Sequence, residues 1–388
     1  MEAQTDRDAI AAIENAGLPD GGPLQRFPSH QAAGRGAVSN PAPRFDAHAA
    51  SPFDDGWATL SQDVGELPRL STTLTRDSTR SAISWNASPD IGFDRAVNPY
   101  RGCEHGCVYC YARPTHAYLG YSPGLDFETK LIFKPDVARL LEQELRKPGY
   151  IPRVLALGSN TDPYQPVERT LKLTRSVLEV LDRFNHPVGI VTKSLGVLRD
   201  LDILSSMAKR NLARVHISIT TLDPHLARVM EPRAATPALR LHAIAELTRA
   251  GVPAGVLAAP MIPALNDAEM EKILEAAARA GARHAGYILL RLPLELRQMF
   301  EEWLHTHFPD RARHVLSLIR QTRAGDLNDS RFHHRFSGQG VYSDLLMRRF
   351  ARAVRQFGFN EGRTQLVCDR FTVPVDAAAD PPSQMSLF

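Results

Sequence analysis

The chain has 388 residues, 43% of them hydrophobic and 23% charged, the profile of a soluble globular protein with one large domain or two ordinary ones. No run of about 18 apolar residues occurs, which excludes a transmembrane helix, and the opening Met1-Glu2-Ala3-Gln4-Thr5-Asp6 lacks the basic flank and apolar run of a secretory signal, so a cytoplasmic protein is expected. The net charge of +3 is compatible with a nucleic-acid partner without arguing for one, and four cysteines, three of them within eight residues, suit metal chemistry in a reducing compartment rather than a disulfide scaffold.

In chain order, residues 1–80 read as a flexible arm. The first 70 hold seven Gly and seven Pro, and no helical or strand period continues past the opening dozen residues. Local order is expected only near Arg35, Phe45 and Trp57. Residues 90–295 have a different character. Nearly continuous apolar runs occur at 153–158, 188–192, 215–219, 255–259 and 286–290, with a weaker one at 93–97. Such runs suit strands of a parallel sheet buried on both faces. Helical patterns lie between them. Val137, Leu140, Leu141 and Leu145 share one face, and Leu171, Leu178 and Leu181 mark another. Thr236-Pro237 opens a helix that Gly251 closes, and Asn266-Asp267 opens one that ends before Gly281. The alternation predicts an α/β fold, and six strands fit a partial (β/α)6 barrel better than a full eight. Residues 296–370 read as a mainly helical extension, with ten Arg against three Asp between Arg311 and Arg355. Residues 371–388 read as a linker carrying a terminal peptide.

The stretch Asn98-Pro99-Tyr100-Arg101-Gly102-Cys103-Glu104-His105-Gly106-Cys107-Val108-Tyr109-Cys110-Tyr111 carries the most chemistry. Cys103, Cys107 and Cys110 are spaced C-x3-C-x2-C. Three thiolates on one loop can hold three irons of a cubane cluster and leave the fourth iron open, whereas clusters used only for electron transfer take four cysteines. The alternative is a structural zinc site with His105 or His116 as fourth ligand, although no second cysteine pair accompanies it.

This motif, with an aromatic before the third cysteine, resembles that of the radical S-adenosylmethionine (SAM) superfamily. The resemblance runs from about residue 93 to 290. It implies a [4Fe–4S] cluster at the C-terminal mouth of a partial barrel, with SAM chelated on the open iron. It implies cleavage of SAM to methionine and a 5′-deoxyadenosyl radical that abstracts hydrogen from substrate, and an electron donor such as flavodoxin or ferredoxin. SAM-binding positions follow by place. Asn160, Thr161 and Asp162 stand after the second strand, Lys193 after the third, and Ser218 and Thr220 on the fourth. Arg233 offers a bidentate partner for the SAM carboxylate.

Within the superfamily, Asn98-Pro99-Tyr100-Arg101-Gly102-Cys103 and Asn160-Thr161-Asp162-Pro163-Tyr164-Gln165-Pro166 resemble the spore photoproduct lyase-like branch. That resemblance implies DNA repair or lesion processing. Lyases of the branch use a cysteine hydrogen donor a few tens of residues past the cluster, and here no cysteine lies between Cys110 and Cys368. The donors open to this chain are Cys368, if the C-terminal segment folds over the mouth, or Tyr109, Tyr111 or Tyr164. The terminal Gln384-Met385-Ser386-Leu387-Phe388 resembles the Q-x-x-L-F peptide that docks bacterial repair proteins on the DNA-polymerase sliding clamp through Gln384, Leu387 and Phe388. Arg331, His333, His334 and Arg335 interleave with Phe332 and Phe336, as in surfaces that bind single strands or lesions. The competing functional readings are modification of a protein, peptide or small molecule, and a metal-stabilised nucleic-acid binder without enzymatic activity.

Overall fold

The computed structural model describes residues 25–26, 34–45, 70–362 and 365–375. Six strands form a parallel sheet in chain order: β1 (Arg95–Val97), β2 (Leu155–Leu157), β3 (Val188–Thr192), β4 (Ala213–Ser218), β5 (Ala254–Met261) and β6 (His284–Leu289). The register pairs Arg95 with Leu155, Leu155 with Val188, Val188 with Ala213, Val215 with Ala254 and Gly255 with His284. A short strand, Ile83–Trp85, runs antiparallel along the free edge of β1. This is the expected partial (β/α)6 barrel, with one side left open between its two edges.

Crossover helices return the chain between strands: α1 (Val137–Leu145), α2 (Leu173–Arg183), α3 (Leu201–Lys209), α4 (Pro237–Arg249) and α5 (Met270–Arg279). Each buries one stripe against the sheet, as Val137, Leu140, Leu141 and Leu145 do in α1. The expected second helix is interrupted. Leu171 closes a short helix, Glu168–Leu171, and Lys172 at φ 52° separates it from α2. Thr236 and Pro237 open α4 as the sequence indicates.

The extension contains α6 (Leu296–His307), α7 (Pro309–Thr322) and α8 (Val341–Gln356). It does not stand apart as a domain. Leu346, Ala353 and Phe359 join the main barrel core. Arg349 of α8 pairs with Glu271 of α5, and Phe350 packs on Tyr287 of β6 with ring centroids 4.7 Å apart. Thus α8 fills the place of the sixth barrel helix, reached through 51 residues of intervening chain.

The expected arm is also partly built into the fold. Thr73–Arg76 pairs parallel with the strand Lys130–Phe133, and residues 34–45 pack against the loop after β1. Order expected near Arg35 and Phe45 is present: Arg35 donates to the Leu70 and Glu128 carbonyls, and Phe45 lies 5.2 Å from the Tyr118 ring. Trp57 lies outside the described residues. Composition does not reveal this order, because an irregular segment held by buried hydrogen bonds is as rich in Gly and Pro as a mobile one.

Candidate active site

Strand β1 ends at Val97 and the chain then wraps through residues 98–112. Two tight turns follow, with Gly106 N–H donating to the Cys103 carbonyl (3.3 Å) and Cys110 N–H to the Cys107 carbonyl (3.2 Å). Gly102 (φ 78°) and Gly106 (φ 68°) make the wrap possible. A Cβ at Gly102 would sit 2.9 Å from the Phe127 carbonyl oxygen, and one at Gly106 would sit 2.6 Å from a Glu128 carboxylate oxygen. Cys103 and Cys107 are buried, Cys110 is half-buried, and all three are free thiols.

Burial, together with the charges of Asp162 and the other two cysteines, pushes the Cys103 thiol well up. Burial pushes Cys107 up as well, against the pull of Lys193. Burial keeps Cys103 and Cys107 protonated until a cation neutralises them, and with Cys110 they supply the three-thiol donor set that an iron–sulfur cluster takes. Among the described residues, no three His, Cys, Asp or Glu side chains converge on the position of a single metal ion. The histidines weighed as zinc ligands face elsewhere. His105 Nδ1 lies 3.3 Å from Asp162, and the buried His116 contacts the Lys130 carbonyl through Nε2 (3.0 Å).

A buried polar framework holds this wrap. Arg113 donates to the Cys107 carbonyl (2.8 Å) and to the Pro123 and Gly124 carbonyls, and pairs with Glu128. Glu128 also accepts the Gly36 and Ala37 N–H groups at 2.9 Å each, fastening the N-terminal segment to the loop. Gln165 accepts the Glu104 N–H (2.9 Å) and donates to the Gly102 carbonyl (3.2 Å). On the other side, Glu231 accepts from Tyr109, Thr220 and Arg240. Each of these charges is matched, as burial demands. Glu128, Arg113, Gln165, Glu231 and Arg240 were not among the expected site residues.

The strand ends bring Asn160, Thr161, Asp162, Lys193, Ser218 and Thr220 around this wrap, in differing states. Asp162 is committed to the protein: it accepts from Tyr164 N–H (2.9 Å), the Thr192 hydroxyl (2.7 Å) and Lys193 N–H (2.8 Å). Burial favours its neutral form, but His105 and these donors prevail and hold it down to about 2. Thr161 donates to the Tyr100 carbonyl, and Ser218 donates to the Ala259 carbonyl, whose oxygen also lies 3.1 Å from the Thr220 hydroxyl. Lys193 Nζ lies 5.7 Å from the Tyr109 ring. Among the described residues the Asn160 side-chain amide makes no hydrogen bond, which leaves it available to a ligand. Arg233 lies 3.5 Å from Glu104, so a clamp on a ligand carboxylate would draw it from that partner.

Cys368 is not brought to this group. Val367 N–H donates to the Asn211 carbonyl before β4, and Thr372 N–H donates to the Phe184 carbonyl before β3. The segment therefore crosses the N-terminal ends of the strands, where Cys368 neighbours Arg95, Asp94 and Arg153. That is the far end of the barrel from the cysteine wrap, about 15 Å of strand away. The condition under which Cys368 could donate, a C-terminal segment folded over the mouth, is not met by this path. Of the tyrosines, Tyr109 is tied to Glu231, and Tyr164 is buried with Arg199 at 5.8 Å from its ring. Tyr111 is half-exposed and donates to the Ser159 carbonyl.

Tyr111 also begins a ladder of rings and guanidinium groups. Arg291, just past β6, lies 5.6 Å from Tyr111 and 4.9 Å from Phe336, and Arg335 lies 4.9 Å from Phe336 and 5.0 Å from Phe332. Arg335 pairs with Asp90, which precedes β1, so the ladder spans the open side of the barrel. The buried Arg323 fixes it by donating to the Leu289, Leu290, His334 and Arg335 carbonyls. Both loop arginines expected to contact nucleic acid are already paired, Arg331 with Asp329 and Arg335 with Asp90.

Residues 97–277 match the family model of the radical SAM superfamily. An uncharacterised protein of Mycobacterium tuberculosis is 37% identical over 279 residues, spanning 70% of this chain and 82% of that protein. The chain belongs to the radical SAM superfamily. It is therefore an enzyme of a family that uses a [4Fe–4S] cluster and SAM. An uncharacterised protein of Methanocaldococcus jannaschii is 28% identical over 178 residues, 46% of this chain and 64% of that one. Among solved structures, spore photoproduct lyase complexed with a dinucleoside spore photoproduct shares the fold, with a TM-score of 0.54 and 17% identity over 74% of this chain and 80% of that one. For this radical SAM protein, the three free thiols of the cysteine wrap at the mouth of the six-stranded barrel are the donor set that would hold such a cluster. Among the described residues, no helix is long and apolar enough to cross a membrane.

Proposed function

We propose that this radical SAM enzyme acts on DNA and processes a lesion, in the manner of the spore photoproduct lyase-like branch. The observation that carries the substrate class is the ladder of aromatic rings and guanidinium groups from Tyr111 to Phe332, bordering the open side of the barrel beside the cysteine wrap. Flat rings between cations suit an unstacked base. The solved structure that shares this fold holds a dinucleoside lesion, which agrees with the reading.

Cys103, Cys107 and Cys110 would hold three irons of the cluster, and Asn160 and Lys193 would orient SAM. When bound, the two cofactors supply reductive cleavage of the C5′–S bond to methionine and a 5′-deoxyadenosyl radical. The protein's part is positional. Arg113 and Gln165 hold the wrap through the Cys107 and Gly102 carbonyls, and the Tyr109–Glu231–Arg240 network closes the inner side to water. Tyr111 is the tyrosine whose hydroxyl borders the mouth, and it is the side chain we assign as hydrogen relay in place of Cys368. The peptide Gln384–Phe388, outside the described residues, fits the same setting as a tether to the sliding clamp.

The test is formation of 5′-deoxyadenosine by anaerobically reconstituted protein given SAM and dithionite, with and without ultraviolet-irradiated DNA. Slow formation alone and much faster formation with irradiated DNA is the expected result. Formation indifferent to DNA would move the substrate to proteins or small molecules. Removing Leu387 and Phe388 should end clamp binding in a pull-down and leave this activity intact; clamp binding by the truncated chain would refute the tether.

A further inference from the structure

The barrel strands carry a second set of side chains that the site described above does not use. Along β3 to β5, Ile190, Val215, Ile217, Val256 and Ala258 belong to the core shared with the helices and have no accessible surface. Alternate residues point the other way, into the barrel. Of these, Val191, His216 and Leu257 keep part of their surface accessible, as does Gly286 of β6. The interior of a closed barrel is filled by layers of branched apolar side chains. Here the inner face borders a space that solvent reaches.

His216 stands in that space. The register sets it beside Gly255 of β5, and Gly255 beside His284 of β6. Its ring lies over the glycine: a Cβ at Gly255 would come 2.5 Å from His216 Cδ2 and 2.9 Å from its Nε2. The His284 ring centroid is 6.3 Å away. Among the described residues, neither ring nitrogen of His216 makes a hydrogen bond. Burial, followed by the charges of Arg214 and His284, lowers the group to about 4, so the ring is neutral near neutral pH and one nitrogen is an open acceptor. A polar ring this deep in a fold is completed by a ligand or by water.

His216 lies two residues before Ser218, on the same face of β4, and four before Thr220. The Thr220 hydroxyl is 3.1 Å from Tyr109 Oη in the cysteine wrap. At about 3.3 Å per residue, His216 is about 13 Å below the wrap. That is deeper than the strand-end positions Asn160, Ser218 and Thr220. Apolar Val191 and Leu257 flank the ring, paired in register with His216 and Ser218.

We infer that His216 selects the reacting base: a base drawn out of the stack enters the barrel between Val191 and Leu257 and donates a ring N–H to the open nitrogen of His216. This rests on the DNA reading above and narrows it to bases with a ring N–H. Thymine and guanine have one; adenine and cytosine do not. An acceptor buried in this way discriminates by more than shape, because a base without the N–H leaves the nitrogen unpaired. Gly255 makes the contact possible by letting the ring lie against the backbone of β5.

The experiment follows 5′-deoxyadenosine formation by the cluster-loaded protein, under anaerobic conditions, against the concentration of ultraviolet-irradiated DNA. His216→Leu should raise KM for that DNA at least about tenfold, with a smaller change in kcat. His216→Gln, which keeps an acceptor, should return KM to within about threefold of the wild type. Gly255→Ala keeps the imidazole but displaces it, and should raise KM as well. Thymidine and N3-methylthymidine, which differ only at the ring N–H, then serve as competitors. Thymidine should inhibit the wild type at least about tenfold more strongly, and His216→Leu should not distinguish the two. Circular dichroism and iron content matching the wild type would confirm that the variants are folded.

An unchanged KM in His216→Leu, a Gln variant as impaired as the Leu variant, or equal inhibition of the wild type by the two nucleosides would each overturn the inference. So would weaker SAM binding by the His216→Leu chain in equilibrium dialysis, since the histidine would then serve the cofactor. The two readings fail separately. A wild type that irradiated DNA does not stimulate loses the DNA reading, and this inference with it. A stimulated wild type whose His216→Leu variant behaves alike loses this inference only.

Discussion

Replacing Glu128 by Gln isolates the contact on which the cysteine wrap and the N-terminal segment both depend. Glu128 is fully buried and pairs with the equally buried Arg113, which itself holds the Cys107 carbonyl at 2.8 Å. The amide keeps the shape and removes the charge, leaving Arg113 as an uncompensated buried cation, a loss of about 3–5 kcal/mol. One oxygen that accepts Gly36 or Ala37 N–H is also replaced by an amide nitrogen, adding about 1–3 kcal/mol for an unsatisfied donor. These losses share a centre and do not add fully, so about 4 kcal/mol is expected, a large part of the roughly 5–15 kcal/mol of a typical domain. Urea unfolding followed by circular dichroism measures it in the cluster-free protein. Trypsin cleavage after Arg35 should accelerate, and iron retained after gel filtration should fall. Removing both charges, as Arg113→Met with Glu128→Leu, should not restore stability, because three carbonyls and two N–H groups would lose their partners. A Glu128→Gln variant with wild-type urea midpoint and iron content would refute this account of the wrap.

Changing any one of Cys103, Cys107 or Cys110 to Ala should abolish both cluster absorbance and 5′-deoxyadenosine formation; retained activity would displace the cluster assignment. Cys368→Ser should leave DNA-stimulated turnover within about twofold, since Cys368 sits beside Arg95 and Arg153 at the foot of the barrel, and a large fall would return it to candidacy as donor. Burial, opposed by the Pro187 carbonyl and aided by Arg95, lowers His186 to about 4 from 6.5. The unfolded chain therefore binds the extra proton between these values. Stability is full above about pH 6.5, falls as pH drops toward 4, and levels off below, by up to roughly 3 kcal/mol from this group. Urea midpoints measured across that window should show a shallower fall for His186→Gln, and an unchanged profile would contradict it.

What the sequence made legible was local. C-x3-C-x2-C fixes three thiols on one turn without help from distant residues, and strands buried on both faces, such as Val188–Thr192, announce themselves as apolar runs. What it hid was set by tertiary path. Glu128 reads as an ordinary charge until Gly36, 92 residues away, is packed on it. Asp162 stands where a ligand for the SAM ammonium is expected, yet its oxygens are consumed by Thr192, Tyr164 and Lys193. Nothing local to Cys368 indicates which end of the barrel it reaches. The sixth helix reads as part of an appended extension because 51 residues separate β6 from α8. Charged and polar residues carry these errors, since their burial depends on partners that periodicity does not display.

The most direct test of the central claim is isotopic. Reconstituted protein is given SAM, dithionite and ultraviolet-irradiated DNA prepared from uniformly deuterated nucleotides, and the 5′-deoxyadenosine formed is weighed by mass spectrometry. A radical generated beside Cys103, Cys107 and Cys110 that takes hydrogen from DNA predicts deuterium in that product, absent with unirradiated DNA. Turnover that leaves 5′-deoxyadenosine unlabelled would contradict DNA as the hydrogen source.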